Sequence, residues 1–260
     1  MTACSHRMQT HRQWRAYGLA YAVLLTLGLS IAPLISAGTP EEKGTIFIQI
    51  LYHGNIPAPT AITVTRDADT CGTTMAMSAI TVNPASKGLK DAVVDITVND
   101  KAGSNDPIRT TATLINAKCV FSPHVIALRT GEALHIQNHD PILHNTHIKT
   151  KTRTFINVAQ PANGRSIAKI VKYPGLYQLQ CDAHKFMRGH IIAYEHPYFA
   201  VSDEDGRATI RQVPPGSHLI SVWHETLGRI HGKVIVPAHG DTALTLEFTG
   251  RETLSSSESE

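Results

Sequence analysis

The chain has 260 residues, room for one large domain or two small ones, with 42% apolar and only 17% charged residues. That composition excludes a largely disordered protein, and no stretch beyond residue 40 approaches the ~20 apolar residues of a membrane helix. The formal charge of +3 reflects Arg7, Arg12 and Arg15; past residue 37 the chain carries equal numbers of basic and acidic residues, which leaves no electrostatic footprint for nucleic acid.

Residues 1–15 are polar and basic, and residues 16–31 (AYGLAYAVLLTLGLSI) are almost wholly apolar. Pro33 and the small residues Ser36, Ala37 and Gly38 follow, completing the layout of a secretory signal over residues 1–37. The segment reads either as a cleaved signal or as a retained anchor, and both forms export the remainder to the periplasm. The only membrane attachment expected is through that anchor. Cys4 precedes the apolar run, so Cys71, Cys119 and Cys181 are the cysteines that reach an oxidising compartment. Three is an odd number. A Cys71–Cys119 disulfide is the pairing expected, contributing about 4 kcal/mol in the chain-entropy model, and it leaves Cys181 as a thiol in need of a role.

Thr, Ile and Val make up 66 of the 260 residues, and β-branched side chains at that level favour an all-β protein. In chain order, strands are predicted over 45–52, 61–65 and 92–98, with turn-rich loops at 83–88 and 100–107. Shorter alternating segments follow at 111–115, 125–128, 133–137, 147–151, 155–158, 166–171, 176–180 and 190–194. Their spacing of roughly ten residues indicates a sandwich or barrel. Beyond His196-Pro197 the pattern restarts, with strands at 209–212, 219–223 and 234–236 in a small separate β unit. Residues 251–260 (RETLSSSESE) form a polar, acidic tail predicted to be disordered.

Between the strands 176–180 and 190–194 lies Cys181-Asp-Ala-His184-Lys-Phe-Met187, which sets a thiolate, an imidazole and a thioether at C-x2-H-x2-M spacing. These soft and borderline donors suit copper cycling between its two oxidation states. A fourth ligand must come from elsewhere, and Asp140-Pro-Ile-Leu-His144-Asn145-Thr-His147 is its best source. Side chains three apart on a strand face opposite sides, so only one of His144 and His147 can enter the core. Ile142 shares parity with His144, which leaves His147 facing out.

The stretches DPILHNTHI (140–148) and CDAHKFMRGHI (181–191), led by GEALHIQNHD (131–140), resemble the cupredoxins, and among them the amicyanins and plastocyanins. The resemblance covers roughly residues 110–194. It implies a Greek-key β-sandwich holding one type 1 copper per chain, with His144, Cys181 and His184 as trigonal ligands and Met187 as the long axial ligand. It also implies that Asn145 ties the two ligand loops together, and that electrons leave through the edge of His184 in an apolar surface patch. A cupredoxin domain is therefore expected over 41–195, with an N-terminal extension whose place in the sandwich the sequence leaves open. Residues 203–223 (DEDGRATIRQVPPGSHLISVW) are similar to the carboxypeptidase regulatory-like, transthyretin-type β-domain, which implies a second domain over 197–250.

These readings imply a periplasmic one-electron carrier rather than an enzyme, because Met187 fills the position a substrate would need and no second Cys-His loop exists. Its partners would be a dehydrogenase, a c-type cytochrome or another copper protein. Copper sequestration or delivery is the alternative. Of the other histidines, His124, His139 and His190 are read as surface groups or supports of the copper site rather than as a second metal centre. Trp223 is read as core, with His224 facing outward.

Overall fold

A computed structural model describes residues 43–98, 111–238 and 240–249. The signal or anchor segment 1–37, the loop 100–107 and the tail 251–260 lie outside those residues. The strands in chain order begin with β1 (Gly44–His53), β2 (Thr60–Thr63), β3 (Thr74–Met77), β4 (Val93–Thr97), β5 (Thr111–Ala117) and β6 (Val120–Ser122). They continue with β7 (Val125–Arg129), β8 (Ala133–Asn138), β9 (His144–Lys149), β10 (Thr154–Gln160), β11 (Ile167–Ile170) and β12 (Gly175–Gln180). The last are β13 (Arg188–Tyr194), β14 (Phe199–Val201), β15 (Arg207–Val213), β16 (Gly216–His224), β17 (Gly228–Val236) and β18 (Thr242–Thr249). One short helix, α1 (Ala68–Cys71), separates β2 from β3. Among the described residues no helix is long and apolar enough to cross a membrane.

Two cores organise these strands. In the first, a five-stranded sheet (β10-β9-β12-β13-β7) and a four-stranded sheet (β11-β8-β5-β6) share one cluster of buried side chains. Leu114, Leu134 and Ile136 enter it from the smaller sheet; Leu128, Ile148, Leu179 and Ile191 enter from the larger. The period of two is plain in β8 and β9, where buried and half-buried residues alternate along the whole strand. Each sheet also contains a parallel pair, β5 with β8 and β13 with β7.

The second core lies between the sheets β15-β1-β18 and β14-β4-β16-β17. The leading segment, which the sequence left without a home, divides between the two cores. Strand β1 pairs antiparallel with β15 and parallel with β18, while β4 lies between β14 and β16. The excursion β2–α1–β3 instead packs on the first core, to which Val64 and Cys71 belong. Cys71 and Cys119 form the expected disulfide, with their Cα atoms 5.4 Å apart.

Four consecutive residues of β4 are buried, a pattern that alternation does not predict. The reason is that the sheet carrying β4 and β16 is covered on both faces. Val94 and Ile96 enter the second core, whereas Val93 meets Val125, Ile192 and Trp223 in a small cluster against the first sandwich. The same covering buries both Trp223 and His224, so His224 does not face outward as its sequence position indicated.

Candidate metal centre

The loop between β12 and β13 is tight because its backbone closes on itself. Met187 N–H donates to His184 O at 2.9 Å, and Cys181 N–H donates to Met187 O at 3.2 Å. Cys181, His184 and Met187 are thereby gathered at one end of the sandwich, each no more than 1% exposed. Strand β9 delivers His144, fully buried, to the same end. The ligand atoms of His144, Cys181 and His184 lie within 4.8 Å of one another. His144 Nδ1 is 3.2 Å from His184 Nδ1, and Cys181 Sγ is 3.6 Å from His184 Nδ1. His147, on the opposite face of β9, is half-buried and bonds instead to Asp182 and Thr154.

The far nitrogen of each ring is tied to a carboxylate. His144 Nε2 donates to Asp140 Oδ2 at 2.8 Å, and His184 Nε2 donates to Asp67 Oδ2 at 2.9 Å. Burial acts to raise the Asp140 carboxyl, but the Cys119 N–H, the His144 ring and the Lys118 N–H outweigh it and hold the pKa below the ordinary range. Burial lowers the pKa of His144, and Asp140 offsets this only in part, so the ring is neutral at pH 7. A neutral imidazole whose Nε2–H is spent on a carboxylate presents a lone pair at Nδ1.

The Nδ1 atoms of both rings face one another and the Cys181 sulfur, among side chains no more than 1% exposed. Two imidazoles, one thiol and a neighbouring thioether form a donor set that fits copper. The outer carboxylates supply the support that metal-bound imidazoles need, fixing the tautomer and the ring plane.

Asn145 joins the two loops. Its N–H points at Cys181 Sγ at 3.4 Å, its Oδ1 accepts the Asp182 N–H at 2.6 Å, and its Nδ2 donates to Asn157 Oδ1. The same junction leaves the Asp182 carboxyl at about 2, chiefly through the His147 ring, with Gln180 and Asn157 adding to it. A further cluster, Cys119 with Asp140 and His144, is not a separate site, because the Cys119 sulfur is committed to the disulfide.

Two participants escaped the sequence reading. Asp140 could have been found, since it stands four residues before His144 in the same loop. Asp67 could not, because 117 residues separate it from His184. It begins α1 with a left-handed backbone, φ 55°, and makes no side-chain cap of its own helix. Its carboxylate is turned to His184 instead, at the cost that a non-glycine residue bears in that region. The covering overturns one expectation: His184 is 1% exposed and lies beneath Asp67, rather than at an open apolar patch.

No protein-family model matches the chain, and no curated protein matches it. Solved structures match part of it. A Cu-containing nitrite reductase from Thermus scotoductus is 20% identical over 38% of this chain and 25% of its own length, with a TM-score of 0.31. Amicyanin from Paracoccus versutus is 19% identical over 39% of this chain and 97% of its own, with a TM-score of 0.30. A purple cupredoxin from Nitrosopumilus maritimus is 18% identical over 32% of this chain and 99% of its own, with a TM-score of 0.29. The chain thus spans only a quarter of the length of the reductase.

Proposed function

We propose that this chain is a periplasmic type 1 copper protein that carries single electrons between redox partners. The observation behind this reading is the convergence of two Nδ1 atoms and the Cys181 sulfur in a closed pocket, with both outer ring nitrogens bonded to carboxylates. His144, Cys181 and His184 would hold the metal, with Met187 at the remaining position. A bound copper supplies a one-electron couple. The protein keeps water from the site by burying all four side chains, and it keeps the two rings from turning through Asp140 and Asp67. The Asn145 N–H lowers the electron density at the sulfur, and Asn145 Oδ1 holds the Cys181 loop against β9. Partners would be a dehydrogenase, a c-type cytochrome or another copper protein.

Adding Cu(II) to the exported chain tests the proposal. An intense visible band at one copper per chain, bleached by ascorbate and restored by oxidation, is the expected result. Cys181→Ser should abolish the band, and Met187→Leu should shift the potential while copper stays bound. A pale, non-bleaching spectrum would overturn the reading.

One observation favours a second reading, copper sequestration: the ring edge through which electrons would pass is shut behind Asp67. Asp67→Ala separates the two. In a carrier whose path crosses the His184 edge, uncovering it should raise electron exchange with a small redox complex several-fold. A store should show little exchange with or without Asp67, and faster copper loss to a chelator in the variant.

A further inference from the structure

Away from the Cys181 pocket, His124, His190 and Glu225 bring three ligand atoms within 4.8 Å of one another. Three separate elements supply them. His124 sits between β6 and β7, His190 lies in β13, and Glu225 follows β16 at the turn of the second core. The parallel ladder between β13 and β7 fixes the first two, since His190 N–H donates to His124 O at 2.9 Å. Glu225 then reaches across from the other core and divides its carboxylate between the rings. Oε1 lies 2.7 Å from His124 Nε2, and Oε2 lies 3.0 Å from His190 Nδ1.

Both contacts are ion pairs, but only the first is also a hydrogen bond. His190 Nδ1 is buried and, despite the nearby oxygen, makes no hydrogen bond of acceptable direction. The ring cannot readily turn to improve it, because Trp223 packs edge-on against it with centroids 5.3 Å apart. A carboxylate oxygen therefore sits 3.0 Å from a buried ring nitrogen that makes no hydrogen bond.

Beside the cluster lies a cleft of about 220 Å³, lined among others by Asp91, His124, His224 and Glu225. It leaves room for water on the open side. His224 Nδ1 accepts the Thr226 N–H, so its ring stands at this cleft as a neighbour rather than as a fourth ligand.

We infer that His124, His190 and Glu225 form a second cation site, open on one side, for a divalent ion of the Zn²⁺ type. Two imidazoles and a carboxylate, with no thiolate, select a borderline divalent ion over Cu(I) or over Mg²⁺ and Ca²⁺. Three protein ligands beside a solvent cleft make a site with a free coordination position, unlike the closed pocket at Cys181. The site also joins the two cores, because its ligands come from both. On the sequence a second metal at His124 and His190 is set aside, since nothing in their spacing links them to Glu225.

The test uses the Cys181→Ser chain, so that zinc has no thiolate to bind, and it does not depend on the copper reading. The metal-free protein is titrated with Zn²⁺ against a chelating dye, and the zinc X-ray absorption edge is recorded. One tightly held ion per chain, surrounded by nitrogen and oxygen only, is expected. Glu225→Gln and His124→Gln should each weaken it more than about 10-fold, the least that loss of a supporting partner costs. Circular dichroism checks that both variants remain folded. The first measurement needs neither of them: failure of the Cys181→Ser chain to retain zinc would overturn the inference. Zinc affinity left unchanged by both substitutions, in folded protein, would overturn it equally.

Discussion

His196 shows how a single ring can set a pH dependence far from either metal-ligating cluster. Its Nδ1 accepts the Tyr198 N–H at 3.3 Å, and it packs against Tyr194 with centroids 5.2 Å apart. Burial lowers its pKa, with Asp95 opposing and Arg129 adding to the effect. Above pH 6.5 the ring is neutral in both folded and unfolded chains, and its contribution is complete. Below 6.5 the unfolded chain takes the proton first, so stability falls as the pH drops toward the depressed folded value. The urea midpoint should therefore decline between pH 7 and pH 5.5, and His196→Asn should reduce that decline. An identical decline in the variant would show that other groups set the slope. At this scale the sequence was informative where spacing is local. Cys181, His184 and Met187 share one loop, and His144 with Asn145 could be chosen by strand parity and by resemblance. The link of Asp67 to His184, and of Glu225 to His124 and His190, was invisible because each is a tertiary contact alone. Parity also placed His147 opposite His144, but failed for His224, which lies on a strand buried on both faces.

Among the elements, the joint between β1 and the turn before β15 is the tightest. Gly206 has φ +76°, and a Cβ there would meet Ile50 O at 2.3 Å and the Cα of Gly88 at 2.7 Å. A Cβ on Gly88 would meet Asp205 O at 1.9 Å. The backbone of this turn is close enough for Ile50 N–H to donate to Gly206 O and for Leu89 N–H to donate to Ile50 O. Gly206→Ala should lower stability by roughly 3 kcal/mol, read as a shift in urea midpoint with the copper pocket intact in the remaining folded protein. Most strands were legible from alternation and turn residues. Strands β3, β6 and β14 were not, being only three or four residues long, too short to show an alternation of their own. Strand β18 was missed for a different reason. Its alternating TALTLEFT carries a strand pattern, but its parallel partner is β1, at the other end of the described chain.

At the scale of the whole molecule, the described residues fall in one compact unit in spite of their two cores. Trp223 stands where the cores meet, packed with Val93, Val125 and Ile192 and edge-on to His190. Nearby, the buried Asp95 of β4 accepts from Tyr194 of the first sandwich and from Arg229 of β17. With that much shared interior, the two cores should unfold together. Trp223 fluorescence and the visible copper band should be lost at the same denaturant concentration. Separated transitions would mean that each core is stable alone. The sequence pointed to two β units but not to this shared wall, because the apolar residues of β4 read equally well as belonging to either.

The pairing of β1 with β18 sets an order of assembly. Ile46 lies beside Thr242, so the second core closes only when β18 has arrived, and closing so long a loop is slow. The strands that build the first sandwich run consecutively from β5 to β13 and need no such wait. In a chain that emerges from its N-terminus, β1 is made first among the described strands and is the last of them to gain its full set of partners.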